Sequence, residues 1–370
     1  MLIGVPKEIK THEYRVGLTP NSVRELIDNG HSVIVETNAG AGINASDEAY
    51  ISAGAKIAAD AKEVFASADM IVKVKEPQAA ECHMLRKDQL LFTYLHLAAD
   101  PKQAELLKES KCVAIAYETV TDAKGGLPLL APMSEVAGRM SIQAGAHCLE
   151  KNQGGCGVLL GGVPGVKAAK VVILGGGVVG TNAARMAMGL EANVTIFDKS
   201  LPRLRELDAQ FGSRITTLYS TNAAIENEVY EADLVIGAVL IPGDSAPKLV
   251  NRNMLKKMKK GAVVVDVAID QGGCFETSRP TTHDNPTFVV DDVVHYCVAN
   301  MPGAVARTST YALNNATLPF VVELANKGYE KALKDNKHLL NGLNVYKGKI
   351  TYEGVARALN DTYTDPSKLL

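Results

Sequence analysis

Val171-Val172-Ile173-Leu174-Gly175-Gly176-Gly177-Val178-Val179-Gly180 is the stretch on which the fold turns. Four aliphatic residues make a run of the length of a buried strand, and the next six satisfy G-x-G-x-x-G through Gly175, Gly177 and Gly180. The first glycine permits a tight turn and the second lets a backbone approach a pyrophosphate. The third lets the following helix, opening at Val178 and Val179, pack closely on its strand with its N-terminus toward the phosphates. The next aliphatic run, Val194 to Phe197, ends in Asp198. An acid about 20 residues beyond the glycines accepts hydrogen bonds from an adenosine ribose, and its charge repels a 2′-phosphate, so NAD is expected rather than NADP. Arg203 follows shortly, either near the adenosine end or as a solvated charge in the first turn of a helix.

Outward from that turn, Val171 to Leu174, Val194 to Phe197, Ile215 to Leu218, Leu234 to Gly237 and Ala262 to Asp266 read as successive buried strands. Helices fit the gaps: Val179 to Gly189, one capped by Ser200 with Pro202 in its first turn, Asn222 to Glu231, and Arg252 to Lys260. That is the cadence of a doubly wound dinucleotide domain. A second α/β alternation precedes it, with strands at Ile3 to Val5, Val33 to Val35, Ile71 to Val74, Leu90 to Leu97 and Val113 to Ala116. Its helices run from Pro20, capped by Asn21 or Ser22, to Asn29-Gly30, and from Pro101 to Lys108. Ser134 to about Glu150 has apolar residues at helical spacing and reads as a connecting helix. Thr308 to Asn326 and Gly328 to Leu340 read as helices, followed by a short tail. The expectation is an α/β protein of two doubly wound domains: a Rossmann NAD-binding domain at 131–304, inserted into a discontinuous substrate domain at 1–130 and 305–370.

Composition narrows the function. The 370 residues are 46% hydrophobic and 22% charged, with 39 basic and 41 acidic side chains, so no global field favours nucleic acid or an anionic membrane as partner. Six scattered cysteines form neither a disulfide framework nor metal-ligand spacing, and no segment reads as a signal peptide or membrane span. A cytoplasmic location and no metal site are expected. Glycine, at 32 residues, is mildly enriched, and part of that enrichment lies in the cofactor turn and the approach to its strand.

Three polar residues of the first region attract attention: Arg15 in EYRVGLTP, Lys75 in VKVKEP and His96 in YLHL. Each has a bland reading, as a surface ion pair, a solvated strand-end charge and a satisfied core histidine. Asp270, before Gly272-Gly273, reads from its surroundings as a turn residue; Asp266 reads as a structural acceptor, and His295 as structural or on the cofactor side.

The segments GVPKEIKTHEYRVGLTP, IVKVKEP, LLFTYLHLAAD, APMSEVAGRMSIQAGAHCLE, GGVPGVKAAKVVILGGGVVGTNAARMAMGLEANVTIFD, VVVDVAIDQGGCFETSRPTTHDNP and HYCVANMPGAVARTST together resemble the bacterial alanine dehydrogenases, from residue 1 to about 360. The resemblance implies NAD-dependent deamination of L-alanine to pyruvate and ammonium, and its reversal. It assigns the substrate carboxylate to Arg15 and Lys75, and catalysis to His96 and Asp270. It places NAD against Ser134, Gly175, Gly177, Val178, Val179, Gly180, Asp198, Arg203, Ser220, Val239, Leu240, Val267, Ala268, Ile269, Asp270, Arg279, Val298, Ala299, Asn300 and Met301. It also implies a homohexamer whose two domains close over the substrate.

Those roles suit the chemistry. A small amino acid requires fixed cations for its carboxylate and little apolar volume for its methyl group; arginine supplies a two-pronged contact and lysine a point charge. Proton transfer at the amine requires a group titrating near neutrality, and histidine ordinarily does so at about 6.5. The rival readings are the NAD-binding component of a proton-translocating transhydrogenase, a saccharopine-type amino acid dehydrogenase, and a non-enzymatic NAD sensor.

Overall fold

Runs of β-branched and aliphatic residues with no polar alternation require cover on both faces, and such runs form the interior of two parallel-dominated sheets. The structure is a computed structural model and describes residues 1–239 and 246–370. Leu240, one of the expected cofactor positions, lies outside the described residues. In chain order the strands are β1 (Leu2–Val5), β2 (Ser32–Glu36), β3 (Lys56–Ala58), β4 (Met70–Val72), β5 (Leu90–Thr93), β6 (Val113–Ala116), β7 (Lys170–Leu174), β8 (Asn193–Asp198), β9 (Thr216–Tyr219), β10 (Leu234–Gly237), β11 (Val263–Asp266), β12 (Thr287–Val290), β13 (Val293–Tyr296), β14 (Leu343–Tyr346) and β15 (Lys349–Ile350). The chain divides into two units, Met1–Met133 with Val305–Leu370, and Ser134–Ala304. The division falls within the helix Ala131–Cys148, which begins three residues before the expected Ser134.

The first unit holds the sheet β15-β14-β6-β5-β4-β1-β2-β3. Its strands from β3 to β6 are parallel, and β14 runs antiparallel to both β6 and β15. The helix Pro20–Asp28 is capped by Thr19, whose hydroxyl accepts the N–H of Ser22, so the cap lies before the expected Asn21 or Ser22. Proline at the first helical position has no N–H to satisfy and therefore favours this start. In place of the expected short tail the chain forms β14, β15 and the helix Glu353–Leu359. Asn344 is buried beside its aliphatic neighbours, so β14 lacks the alternation that would announce a strand. The local signal was in the turn: Lys347 and Gly348, both at positive φ, join β14 to β15. The helix Ala306–Lys327 belongs to the same unit. Its buried Asn314 donates to the Gly17 carbonyl and accepts from the Thr19 N–H at 2.8 Å, pinning the loop that carries Arg15.

The second unit holds β12-β13-β11-β10-β7-β8-β9, all parallel except β12. Alternate residues of one strand enter separate cores: Val171 and Ile173 join Ala183, Ala184 and Ala187 of the helix Val178–Gly189, while Val172 and Leu174 join Ile225, Val264 and Phe275. Each such side chain, once fully buried, contributes about 1.5–3 kcal/mol, which favours apolar residues at all four positions from Val171 to Leu174. The helix Arg252–Leu255 is shorter than the expected Arg252 to Lys260. The six parallel strands of the two sheets share one order, β3-β2-β1-β4-β5-β6 and β9-β8-β7-β10-β11-β13. In such sheets ligands bind beyond the carboxyl ends of the strands, where the order reverses.

Candidate functional site

In the second unit the glycine turn follows β7. Gly175 has φ +107°, and a Cβ added at Gly180 would stand 1.8 Å from the Gly175 carbonyl oxygen, so both glycines are demanded by the turn itself. A Cβ at Gly177 meets nothing within 4 Å among the described residues, so packing does not demand that glycine. The open position leaves room for the close approach of a phosphate, and the turn in this respect fits a dinucleotide.

The middle peptide of the turn is held from both sides. Asp198, at the end of β8, accepts the Gly176 N–H at 2.9 Å on one carboxylate oxygen and the Ser200 N–H at 2.8 Å on the other. Arg203 donates from Nε to the Gly176 carbonyl and from Nη2 to Thr181 Oγ1, each at 2.7 Å, and pairs with Glu206. The alternative of a purely solvated Arg203 is thereby set aside. Each Asp198 oxygen retains acceptor capacity for a hydroxyl beyond its backbone contact.

The remaining expected cofactor positions follow other strands of this sheet. Ser220 lies just past β9 and donates its N–H to the Asp198 carbonyl; Val239 lies two residues past β10; Val267, Ala268, Ile269 and Asp270 form a short 3-10 turn directly after β11. Val298, Ala299, Asn300 and Met301 follow β13, and the Asn300 carbonyl accepts from His283. Arg279 stacks its guanidinium 4.3 Å from the Phe288 ring centre, and Ser134 sits in the helix Ala131–Cys148.

Asp270 is exposed, whereas Asp266 is fully buried. Asp266 accepts from the Cys274 N–H at 2.9 Å and from Ser278 Oγ, and burial raises its pKa despite those donors. It is a structural acceptor. His295 is buried as well, with Nδ1 donating to the Val293 carbonyl at 3.0 Å and Nε2 accepting from Thr277 Oγ1 at 2.8 Å. Burial lowers its pKa and keeps it neutral. Five of the six cysteines are buried and the sixth, Cys156, is half-buried; desolvation pushes the Cys112 and Cys148 thiols up to about 11.

In the first unit Arg15, Lys75 and His96 stand on the segments leaving β1, β4 and β5, adjacent strands at the point where the order reverses. Arg15 is only 3% exposed and forms a two-pronged pair with Glu13, Nε to Oε1 and Nη2 to Oε2, each at 2.6 Å. Burial opposes the charge on Arg15, but Glu13 outweighs it and holds its pKa above the ordinary value. Lys75 is half-buried with Nζ 3.7 Å from Glu76 Oε2.

His96 departs from the strand expected for Leu90 to Leu97. β5 ends at Thr93, and His96 adopts a left-handed conformation, φ 51° and ψ 36°. Its side chain is 47% exposed, so it is not a buried core histidine; the ring stacks on Tyr94 at 5.7 Å between centres. A left-handed non-glycine residue is costly unless its surroundings hold it there. Glu118, following β6, does so by accepting the His96 N–H at 2.6 Å and the Leu95 N–H at 3.2 Å.

Glu8, Glu13, Glu118 and Lys73 escaped the sequence reading because a lone charge in a mixed segment carries no periodic signal. The one trace was the doubled lysine in VKVKEP, which left open which lysine is buried.

Residues 4–137 match the family described as alanine dehydrogenase/PNT, N-terminal domain, and residues 141–353 match its C-terminal domain. The chain belongs to the alanine dehydrogenase/PNT family. A relative within it, the alanine dehydrogenase of Halomonas elongata, is 61% identical over 370 residues, covering 100% of both chains. A solved L-alanine dehydrogenase superposes with a TM-score of 0.95 at 56% identity, covering 97% of this chain and 99% of that one. The transhydrogenase of Sinorhizobium meliloti has a TM-score of 0.81 at 24% identity over 95% of this chain and 99% of its own, a likeness of fold alone. As a member of the alanine dehydrogenase family the chain is an oxidoreductase, and dehydrogenation of this kind uses a nicotinamide cofactor.

Proposed function

We propose that this enzyme catalyses the NAD-dependent oxidative deamination of L-alanine to pyruvate and ammonium, and the reverse reductive amination. The observation that carries the reading is the full-length, 61% identity to a protein named alanine dehydrogenase. The choice of NAD over NADP rests on Asp198, whose carboxylate closes the end of β8 beside the glycine turn.

NAD, when bound, supplies the hydride acceptor. Arg15 and Lys75 hold the alanine carboxylate, and Glu13 keeps the Arg15 fork in one plane so that only one orientation of the carboxylate is matched. His96 takes a proton from the substrate ammonium, so that the nitrogen lone pair can form the iminium as hydride leaves Cα. Once that proton has passed to solvent, water adds to the iminium carbon, with His96 accepting its proton and returning it to nitrogen; His96, neutral again, takes the carbinolamine hydroxyl proton as the carbonyl forms and ammonia departs. Asp270 stabilises positive charge on the substrate nitrogen and accepts from the carbinolamine hydroxyl.

In this assignment 1–130 with 305–370 is the substrate domain and 131–304 the cofactor domain. No helix among the described residues is long and apolar enough to cross a membrane. A cytoplasmic homohexamer, without nucleic acid or membrane as partner, is the assembly we infer from the family resemblance, and light scattering on the purified protein tests the subunit number. The reaction is tested by following NAD reduction with L-alanine beside glycine, L-serine and saccharopine. L-alanine is expected to be the best substrate. Folded protein that reduces NAD with none of the four, yet binds NADH, would overturn the proposal in favour of a transhydrogenase component or a sensor.

A further inference from the structure

The two lysines of VKVKEP have opposite fates. Lys73 is wholly buried, its Nζ 2.7 Å from Glu81 Oε1 and 3.0 Å from Glu8 Oε2, and all three side chains are at most 2% exposed. Burial works against charge here, but the two carboxylates outweigh it and hold the Lys73 ammonium above the ordinary lysine value. With two acids to one base, burial also lifts the Glu8 carboxyl above the usual carboxylate range. Buried ion clusters of this kind add little net stability compared with apolar packing of the same volume. Their value lies in what they hold in place.

Glu8 holds the segment that carries Lys75. Its other oxygen, Oε1, accepts the Val74 N–H at 2.7 Å and the Lys75 N–H at 3.3 Å, both beyond the end of β4. On the opposite side Thr93 Oγ1 donates to the Lys75 carbonyl at 2.9 Å. Glu81 secures the far end of the cluster by accepting the Gln78 N–H at 2.8 Å. The Lys75 backbone is therefore fixed at both its donor and its acceptor, and a half-buried lysine keeps only side-chain freedom.

We infer that Glu8, locked in place by Lys73 and Glu81, is a positioning residue that sets the Lys75 ammonium for the substrate carboxylate. The inference rests on the reading of Lys75 as a carboxylate ligand. It also gives the opening GVPKE segment a task in substrate affinity that no contact with substrate requires.

The test is a double-mutant cycle in the full-length enzyme, with Glu8→Gln, Lys75→Ala and the pair, reading the KM for L-alanine and the Kd for NADH. Glu8→Gln is expected to raise the alanine KM on the order of tenfold, with the NADH Kd unchanged, and to change it less than about twofold once Lys75 is alanine. Thr93→Val, which removes the carbonyl-side anchor and leaves the ion cluster intact, carries the same cycle if Glu8→Gln does not fold. A normal Lys75→Ala effect with an undiminished Glu8→Gln or Thr93→Val effect in that background overturns the inference alone. Lys75→Ala without effect on the alanine KM overturns the role of Lys75 and the inference with it.

Discussion

The two units place the same six-strand order in the service of two kinds of site. In the second unit the residues beyond the strands present backbone: a turn closed by Gly175 and Gly180, with its middle peptide clamped between Asp198 and Arg203. In the first unit they present side chains: Arg15, paired with its near neighbour Glu13, and Lys75 and His96, whose peptides are held by Glu8 and Glu118 from distant segments. A backbone site needs glycine at fixed spacing, because any side chain would occupy the turn. A side-chain site needs only the right functional group at each strand end, and nothing local restricts where its support comes from.

Lesions on the two sides should therefore separate. The largest expected effect is on turnover: His96→Ala should lower kcat by about 10²- to 10⁴-fold, the range for loss of a general acid-base, with NADH affinity unchanged by fluorescence titration. Parallel losses of kcat and NADH affinity would break the separation. Gly180→Ala should act on the backbone side, since its Cβ falls 1.8 Å from the Gly175 carbonyl oxygen. Overpacking of this kind costs about 1–3 kcal/mol, and calorimetry together with NADH titration should find both stability and affinity reduced. Unchanged NADH affinity would contradict the turn as a phosphate site.

A smaller effect is expected at Asp198. Asp198→Gly removes the anion and two backbone hydrogen bonds, and should move the ratio of NAD to NADP efficiency toward NADP by about tenfold, the weight of one charge-assisted contact. An unmoved ratio would remove the ribose contact from the proposal. The smallest concerns stability alone. Because burial lowers the His295 pKa, its share of stability is complete above about 6.5 and is lost as pH falls below that value. The Tm difference between the native protein and His295→Gln should accordingly shrink from pH 7.5 to pH 5.5, while the alanine KM stays constant. A pH-independent difference would mean that His295 is not held neutral.

Much of this architecture was legible in the chain. Buried parallel strands read as uninterrupted aliphatic runs, and the helix caps at Ser200 and the stop at Asn29-Gly30 are local chemistry. Misreadings arose where tertiary contacts overrode local pattern. The run from Leu90 to Leu97 looks like one strand, but sheet pairing ends at Thr93 and Glu118 stabilises a left-handed turn in the remainder. β14 hides a buried asparagine, whose amide donates to Thr119 and to the Gly342 carbonyl.

The sequence by itself determined the two α/β alternations, the glycine turn and the acid beyond it, because periodicity and backbone conformation are properties of neighbouring residues, but not β3, β12, β13, β14 or β15. Only the tertiary structure decided which lysine of VKVKEP is buried, that Glu13 braces Arg15, that Glu118 sets His96, and that Arg203 lies on the turn. Most of those contacts join residues far apart in the chain: Glu8 pairs with Lys73 across 65 positions, and Glu118 accepts the His96 backbone N–H across 22. A charge carries no mark of its partner until folding removes both from water and makes the pairing obligatory.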